Sequence, residues 1–411
     1  MNQVTDALII GAGPAGATAA ATLRKAGYPG TITVVRGEDG PPYNRTTVNK
    51  SLLQGQLTVE AVTLPEADTP DVDWTTPDRA IALDTEQRVV TLTSGRSLHY
   101  RHLIITTGAQ PRPFPGEAAE GTGARIVSLR GAADSDRLRT WLSAAESPTV
   151  TILGAGLIGS ETAGVLTAAG AKVNLVSLSA TPMSEHLGRN TGEWLAALHA
   201  SQVDTYFGQT IDLLRFDERG RLLATLSSGE SITSDVAVVS VGVTPAIGWL
   251  HGTALDIANG IAVDDRLRAR GTAGVYAAGD LARITDDAGH GHRVEHFNDA
   301  LSQGRHAALT LLHDIGAGDD PGRYDSLATY GTRLYGTKLT VVGHSPAVAR
   351  EVVIAGDPDD ERFTVALADA EDNLTGVIGV GDARVANSLK DAVRERRPLA
   401  RALAGTPSAA R

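Results

Sequence analysis

The 411-residue sequence carries 48 acidic against 37 basic side chains, a formal net charge of −11, which argues against nucleic acid as a primary partner. It contains no cysteine, which excludes a redox-active thiol pair, a sulfenate cycle and any cysteine-ligated metal within these residues. No apolar run approaches the length of a membrane span and no lysine or arginine precedes Asp6, so the expectation is a cytoplasmic enzyme of two or three domains, with neither membrane nor nucleic acid as partner.

The chain opens with a short apolar run, Ala7 to Ile10, that leads into Gly11-Ala-Gly13-Pro14-Ala15-Gly16. A helical pattern follows through Ala26, then a β-branched run from Thr31 to Val35, with Glu38 just past its end. This is the βαβ dinucleotide fingerprint in its full context. Gly11 permits the tight turn, Gly13 lets the backbone approach a pyrophosphate, and Gly16 allows close helix–strand packing. Glu38 is placed to accept a hydrogen bond from a ribose hydroxyl.

Residues 40–51 are polar and proline-bearing and read as a loop, with a helix predicted to start within Val48 to Leu53. Taken by composition, Arg45 and Lys50 in this loop are solvated surface charges. Asp84 to Tyr100 alternates as a hairpin turning at Ser94-Gly95. Leu103 to Ala109 is a buried strand that closes on Thr107-Gly108, and Pro111, Pro113 and Pro115 then mark an exit to the next domain.

A second fingerprint follows. The strand Thr149 to Leu153 leads into Gly154-Ala-Gly156-Leu157-Ile158-Gly159, a helix to Ala169 and a strand from Lys172 to Val176. Two fingerprints on one chain imply two dinucleotides, a flavin and a nicotinamide. Ser177 stands where an acid would grip the ribose of NADH, or an arginine the 2′-phosphate of NADPH; it can bond to either, so the choice, and even retention of nicotinamide binding, stays open. Glu161 reads as a first-turn acid favoured by the helix dipole.

Val236 to Val241 is a further strand, ending at Gly242, and Gly274 to Ala278 runs onto Gly279-Asp280. That aspartate can bind sugar or ribityl hydroxyls, or cap the next segment. Val294 to Asn298 opens a helix running to Leu312. His290, His292 and His296 lack supporting ligands, so no metal site is expected. From Pro321 onward, short strands at 337–342, 351–354, 363–367 and 374–380 precede one amphipathic helix predicted over 383–404, the pattern of a small α+β domain. The charges at 390–397 form its solvated face.

Together these stretches resemble the FAD-dependent ferredoxin reductases of the putidaredoxin and rubredoxin reductase type, which use the pyridine nucleotide-disulfide oxidoreductase fold without redox cysteines. The marks are Gly11 to Gly16, Pro42 to Lys50, Thr107-Gly108, Val127-Ser-Leu-Arg130, Gly154 to Glu161, Tyr276 to Asp280 and Val294-Glu-His-Phe297. The resemblance implies an α/β fold with two Rossmann-like dinucleotide-binding domains and a small C-terminal α+β domain. Residues 1–111 and 243–320 would form the FAD domain, 112–242 the inserted NAD(P)H domain and 321–411 the interface domain.

It also implies roles. Lys50 would lie by the flavin and interact with Glu161, and Glu161 and Glu295 would line the nicotinamide side. Arg45, Thr107, Gly108, Arg130, Gly279 and Asp280 would join the FAD site, with Phe297 beside the isoalloxazine and Ala80 at the adenine through its backbone. Leu157, Ile158, Ser177 and Gly242 would join the nicotinamide site. The implied activity is hydride transfer from NADH or NADPH to FAD, then electron delivery to a ferredoxin-type iron–sulfur protein of an oxygenase or cytochrome P450. Arg293, Arg305 or Arg333 would meet an acidic partner, and a monomer or weak dimer is expected. Three departures stand out: Tyr43-Asn-Arg-Thr-Thr-Val-Asn-Lys50 replaces Tyr-Asp-Arg-Pro-Pro-Leu-Ser-Lys, Ser177 replaces an acid, and Thr329-Tyr330-Gly-Thr-Arg333 replaces Phe-Trp-Ser-Asp-Gln. Tyr330 or Tyr335 would supply the missing aromatic. These departures keep two alternatives in play: a flavoprotein that acts directly on a small molecule, and a FAD-bearing redox sensor.

Overall fold

A computed structural model of the chain describes residues 4–286, 290–325, 327–343 and 348–404. The chain forms two compact units, one made of Met1–Arg45, Thr58–Gln110 and Val243–Ser326, the other of Thr46–Leu57, Pro111–Gly242 and Leu327–Arg411.

The first unit is built on a sheet whose parallel part runs Asp73–Trp74, Ile32–Val35, Val4–Ile10, Ser97–Ile105, with Val275–Ala277 also paired to Ser97–Ile105. All four residues of Ile32–Val35 are buried. That is why the run, Ile-Thr-Val-Val, is β-branched throughout instead of alternating apolar with charged residues, its one hydroxyl lying 3.1 Å from that of Thr5: a parallel strand covered on both faces has no wet side. The antiparallel strands Val89–Leu92 and Ala80–Asp84 extend the sheet, and Ala80–Asp84 adds a strand the sequence pattern did not reveal. The predicted hairpin turns at Gly95, whose φ is +84°. Its return arm and the apolar run after it are one nine-residue strand, Ser97–Ile105. The helices Pro14–Lys25 and Phe297–Asp314 cross where a Cβ on Gly304 would lie 2.1 Å from the Ala15 carbonyl oxygen, so only glycine permits the approach.

In the second unit a parallel sheet runs Asp204–Phe207, Lys172–Ser177, Thr149–Leu153, Val236–Val239, Ile126–Val127. A five-stranded antiparallel sheet runs Thr329–Leu334, Thr337–Gly343, Leu374–Val380, Arg362–Ala368, Arg350–Asp357. Two predicted helices differ. Residues 48–53 are a succession of turns, with the Lys50 and Leu52 N–H groups both donating to the Thr47 carbonyl at 3.0 Å. The chain makes one 3-10 turn at Arg45–Thr47, and so short a segment beyond it does not offset the cost of helix nucleation. The segment 383–404 is not one helix but three short ones, Arg384–Ser388, Lys390–Arg394 and Leu399–Leu403. Arg396 takes a left-handed φ of +48° and Pro398 precedes the last helix, so the backbone breaks although Ala386, Leu389, Ala392, Val393 and Leu399 still reach one core.

Candidate functional site

The two glycine fingerprints have the same geometry, one in each unit. Gly11 has φ +113° and Gly154 φ +104°; a Cβ on either would lie 2.3 Å from a carbonyl oxygen, that of Thr106 or of Ser240. At Gly16 and Gly159 a Cβ would lie 1.9 Å from the carbonyl oxygen of Gly11 and of Gly154. These four glycines are required by the protein's own packing. Gly13 and Gly156 are different. Both have ordinary extended angles, φ −73° and −74°, and a Cβ there would meet nothing within 4 Å. Neither backbone conformation nor a neighbour demands glycine, so the open space at Gly13 and Gly156 is the cradle a pyrophosphate would fill. Pro14, Ala15 and Gly16 open one helix and Leu157, Ile158 and Gly159 the other. Neither helix has a side-chain cap or a first-turn acid, which leaves N–H groups for an anion. The residues present therefore fit two dinucleotides.

Around the first fingerprint, Glu38 accepts from Arg45 at 2.7 Å and from the Tyr43 hydroxyl at 3.2 Å, and the Arg45 guanidinium lies 5.0 Å from the Tyr43 ring centroid. Thr107 donates its hydroxyl to the Ala246 carbonyl at 2.8 Å, and the Gly108 carbonyl, at φ +67°, accepts the Ala246 N–H at 2.9 Å. Gly279, at φ +87°, donates its N–H to Gln303 Oε1 at 2.7 Å; Gln303 Nε2 in turn donates to Asp299, which also accepts from Tyr324 at 2.8 Å. The Asp280 carbonyl accepts from Arg293 at 2.6 Å, and the same Arg293 nitrogen pairs with Glu295 at 2.7 Å. His296 caps the helix that Phe297 begins, and burial pushes its imidazole below the usual range. Ala80 begins its strand opposite Leu92.

The second unit holds a polar constellation around one buried carboxylate. Glu161, only 5% exposed, bonds to Lys50 Nζ at 2.7 Å, to Asn49 Nδ2 at 2.9 Å and to the Thr332 hydroxyl. It lies past the first turn of the Leu157–Ala168 helix, so its place is set by these partners and not by the helix dipole. Lys50, read by composition as a solvated charge, is a partly exposed ion-pair partner. Tyr330 feels this carboxylate: desolvation first, and the Glu161 charge second, push its phenol up to about 12. Tyr335 is occupied elsewhere. Its hydroxyl lies 2.8 Å from His199 Nδ1, whose Nε2 lies 3.0 Å from Ser160 Oγ. Burial pushes the His199 imidazole down to about 4, so the ring is neutral.

Other predicted residues stand apart from this cluster. Ser177 is buried at its strand end, Gly242 takes φ +92° and accepts the Arg112 N–H at 3.0 Å, and Arg130 donates its backbone N–H to Asp134 at 3.1 Å. Of the three arginines assigned to a partner, Arg293 is engaged as described, Arg333 donates to the Gly336 carbonyl at 3.2 Å, and Arg305 is exposed. Sequence patterns missed Asn49, Thr332 and Gln303, because nothing local marks a residue whose partner is distant in the chain.

Paired βαβ cradles define a protein of two dinucleotides. The chain belongs to the pyridine nucleotide-disulphide oxidoreductase family, whose sequence profile matches residues 5–304. It is 30% identical over 362 residues to the biphenyl dioxygenase system ferredoxin–NAD(+) reductase component of Paraburkholderia xenovorans, covering 87% of this chain and 86% of that one. The fold matches that of the covalent putidaredoxin reductase–putidaredoxin complex with a TM-score of 0.87 at 24% identity, over 96% of this chain and 94% of that one. It also matches the ferredoxin reductase for the CYP199A2 system of Rhodopseudomonas palustris, with a TM-score of 0.82 at 28% identity over 92% of each chain. The disulphide in the family's name has no counterpart among these 411 residues, which include no cysteine.

Proposed function

We propose that the chain holds FAD at the first fingerprint and NADH or NADPH at the second, and supplies electrons to a ferredoxin-type iron–sulfur protein of an oxygenase or cytochrome P450. The observation that carries this is the duplication: two glycine cradles, each open where a pyrophosphate would lie, in one cysteine-free chain. Bound FAD would supply the redox chemistry the side chains lack, accepting electrons in pairs and releasing them singly. Gly13, Pro14, Ala15 and Gly16 would hold its pyrophosphate, Glu38 its ribose, and Gly279-Asp280 its ribityl or pyrophosphate region. Gly156, Leu157, Ile158 and Gly159 would hold the nicotinamide dinucleotide.

Lys50, Glu161 and Glu295 are assigned to the reacting end of the nicotinamide through the family resemblance. The bonds around Glu161 support the narrower point that this carboxylate and Lys50 act as a pair. In this proposal residues 1–111 and 243–320 serve FAD, 112–242 the nicotinamide nucleotide and 321–411 the partner. A cytoplasmic monomer or weak dimer completes it; among the described residues no helix is long and apolar enough to cross a membrane. The departure at Thr329–Arg333 favours a second reading, direct turnover of a small molecule.

The test is anaerobic stopped-flow mixing of FAD-loaded protein with NADH and with NADPH, followed by addition of an oxidised ferredoxin. Bleaching of the flavin band, then its return with ferredoxin, is the expected sequence. Bleaching without reoxidation by any ferredoxin tried moves the small-molecule reading ahead. No bleaching by either nucleotide ends the reductase reading.

A further inference from the structure

The strand end where the second fingerprint would place a ribose carries no charged side chain. The strand Lys172–Ser177 ends at Ser177, which pairs in register with Phe207 on the neighbouring strand Asp204–Phe207. In a parallel α/β sheet the ribose lies beyond such strand ends, where an acid accepts from the 2′-hydroxyl or an arginine meets the 2′-phosphate. Here the two segments beyond the strands, residues 177–184 and 207–211, contain no Asp, Glu, Lys or Arg. They lie close together, since a Cβ on Gly208 would sit 4.0 Å from the Ala180 Cβ.

Between them is Gln209. Its backbone N–H donates to the Ser177 carbonyl at 2.9 Å, which ties it to the strand end. Its side-chain Oε1 is buried, with no hydrogen-bond partner among the described residues. Buried polar atoms are nearly always bonded, so this acceptor, one of fourteen such side-chain atoms among the described residues, is left for a ligand group that it meets when the carboxamide turns outward. Leu178, which follows Ser177 in the chain, is 76% exposed, apolar surface of the kind an adenine ring covers.

We propose that Gln209 is the residue that reads the nicotinamide nucleotide's 2′ position, and that it accepts both NADH and NADPH. A carboxamide carries an acceptor and a donor on one rotor. Its oxygen accepts the 2′-hydroxyl of NADH. Turned over, its NH₂ donates to the 2′-phosphate of NADPH; the first carboxylate past this segment, Asp212, accepts from the Thr210 hydroxyl at 2.8 Å. Leu178 meets the adenine common to both and does not discriminate. This inference rests on the nicotinamide reading of the second fingerprint.

The experiment is calorimetric titration of FAD-loaded protein with NAD(+) and with NADP(+), for the unchanged chain, Gln209→Glu and Gln209→Leu. Melting temperatures identify any variant that fails to fold. The unchanged chain is expected to bind the two within about fivefold of each other. Gln209→Glu, isosteric but charged, is expected to weaken NADP(+) by about tenfold or more while holding NAD(+) within about threefold. Gln209→Leu is expected to weaken both by similar factors. A preference of more than about thirtyfold in the unchanged chain overturns the inference whatever the variants do, since such a ratio requires a discriminating group. Folded variants that leave both affinities unchanged overturn the role of Gln209. If neither nucleotide binds, the nicotinamide reading falls and takes this inference with it; strong preference for one leaves that reading standing and removes only the inference.

Discussion

Glu161 draws its partners from chain segments far apart. Asn49 lies 112 positions away in sequence and Thr332 lies 171 away. Lys50 supplies the charge, but at 37% side-chain exposure it is partly solvated, so the hydrogen bonds carry much of the compensation for burying the carboxylate. Thr332→Val keeps the shape and removes a donor to a buried anion. It is expected to lower stability by about 1–3 kcal/mol, read by urea unfolding, with a larger loss than the same change at an exposed threonine. His199 adds a pH dependence. Its folded-state value of about 4 lies below its ordinary 6.5, so the unfolded chain binds the extra proton first. The corresponding stability is complete above about pH 6.5 and drains away as the pH falls toward 4, to a limit on the order of 3 kcal/mol. Urea midpoints measured from pH 7.5 to 4.5 should fall across this window, and a folded His199→Gln variant should show a shallower fall. The importance of Lys50 and Glu161 was legible only through family resemblance. Their clamp of Asn49 and Thr332 was not legible at all, because hydrogen-bond partners across such separations leave no periodic trace.

At the scale of elements, the fingerprints separate glycines needed for folding from those a ligand would need. Gly159→Ala would drive a methyl to 1.9 Å from the Gly154 carbonyl oxygen, and should cost about 1–3 kcal/mol or more, visible as a lowered melting temperature without nucleotide. Gly156→Ala meets no atom of the protein and should cost about 1 kcal/mol or less as a helix cap. Its effect should appear in calorimetry as NAD(+) affinity reduced by about tenfold or more, since the methyl enters the space the pyrophosphate needs. Equal affinity in the Gly156→Ala protein would show that the nucleotide lies elsewhere. Both βαβ units were readable because turn, helix start and strand all fall within about thirty residues. The segment 383–404 was not. Its apolar spacing is genuine, and the buried residues it marks do pack together, but periodicity reports which side is apolar and not whether the backbone continues through Arg396 and Pro398.

Across the whole molecule, the absence of cysteine gives the broadest prediction. Electrons cannot pass through a thiol or disulfide of this chain, so NADH-driven reduction of ferricyanide by the FAD-loaded protein should be unchanged by prior iodoacetamide treatment. Loss of most of the rate would mean that another nucleophile, such as Lys50 or a histidine, is exposed and essential. By itself the sequence determined the two nucleotide-binding folds, the cysteine-free chemistry and the general order of the elements. The fingerprints impose their demands within a few residues, where tight turn and close helix approach each require glycine at a definite offset. Only the tertiary structure decided what surrounds Glu161, how His199 bridges Ser160 and Tyr335, and that the Gln209 backbone is tied to the Ser177 carbonyl. Those arrangements join residues from separate strands and loops, and a bond between distant segments exists only after the sheets have set their register.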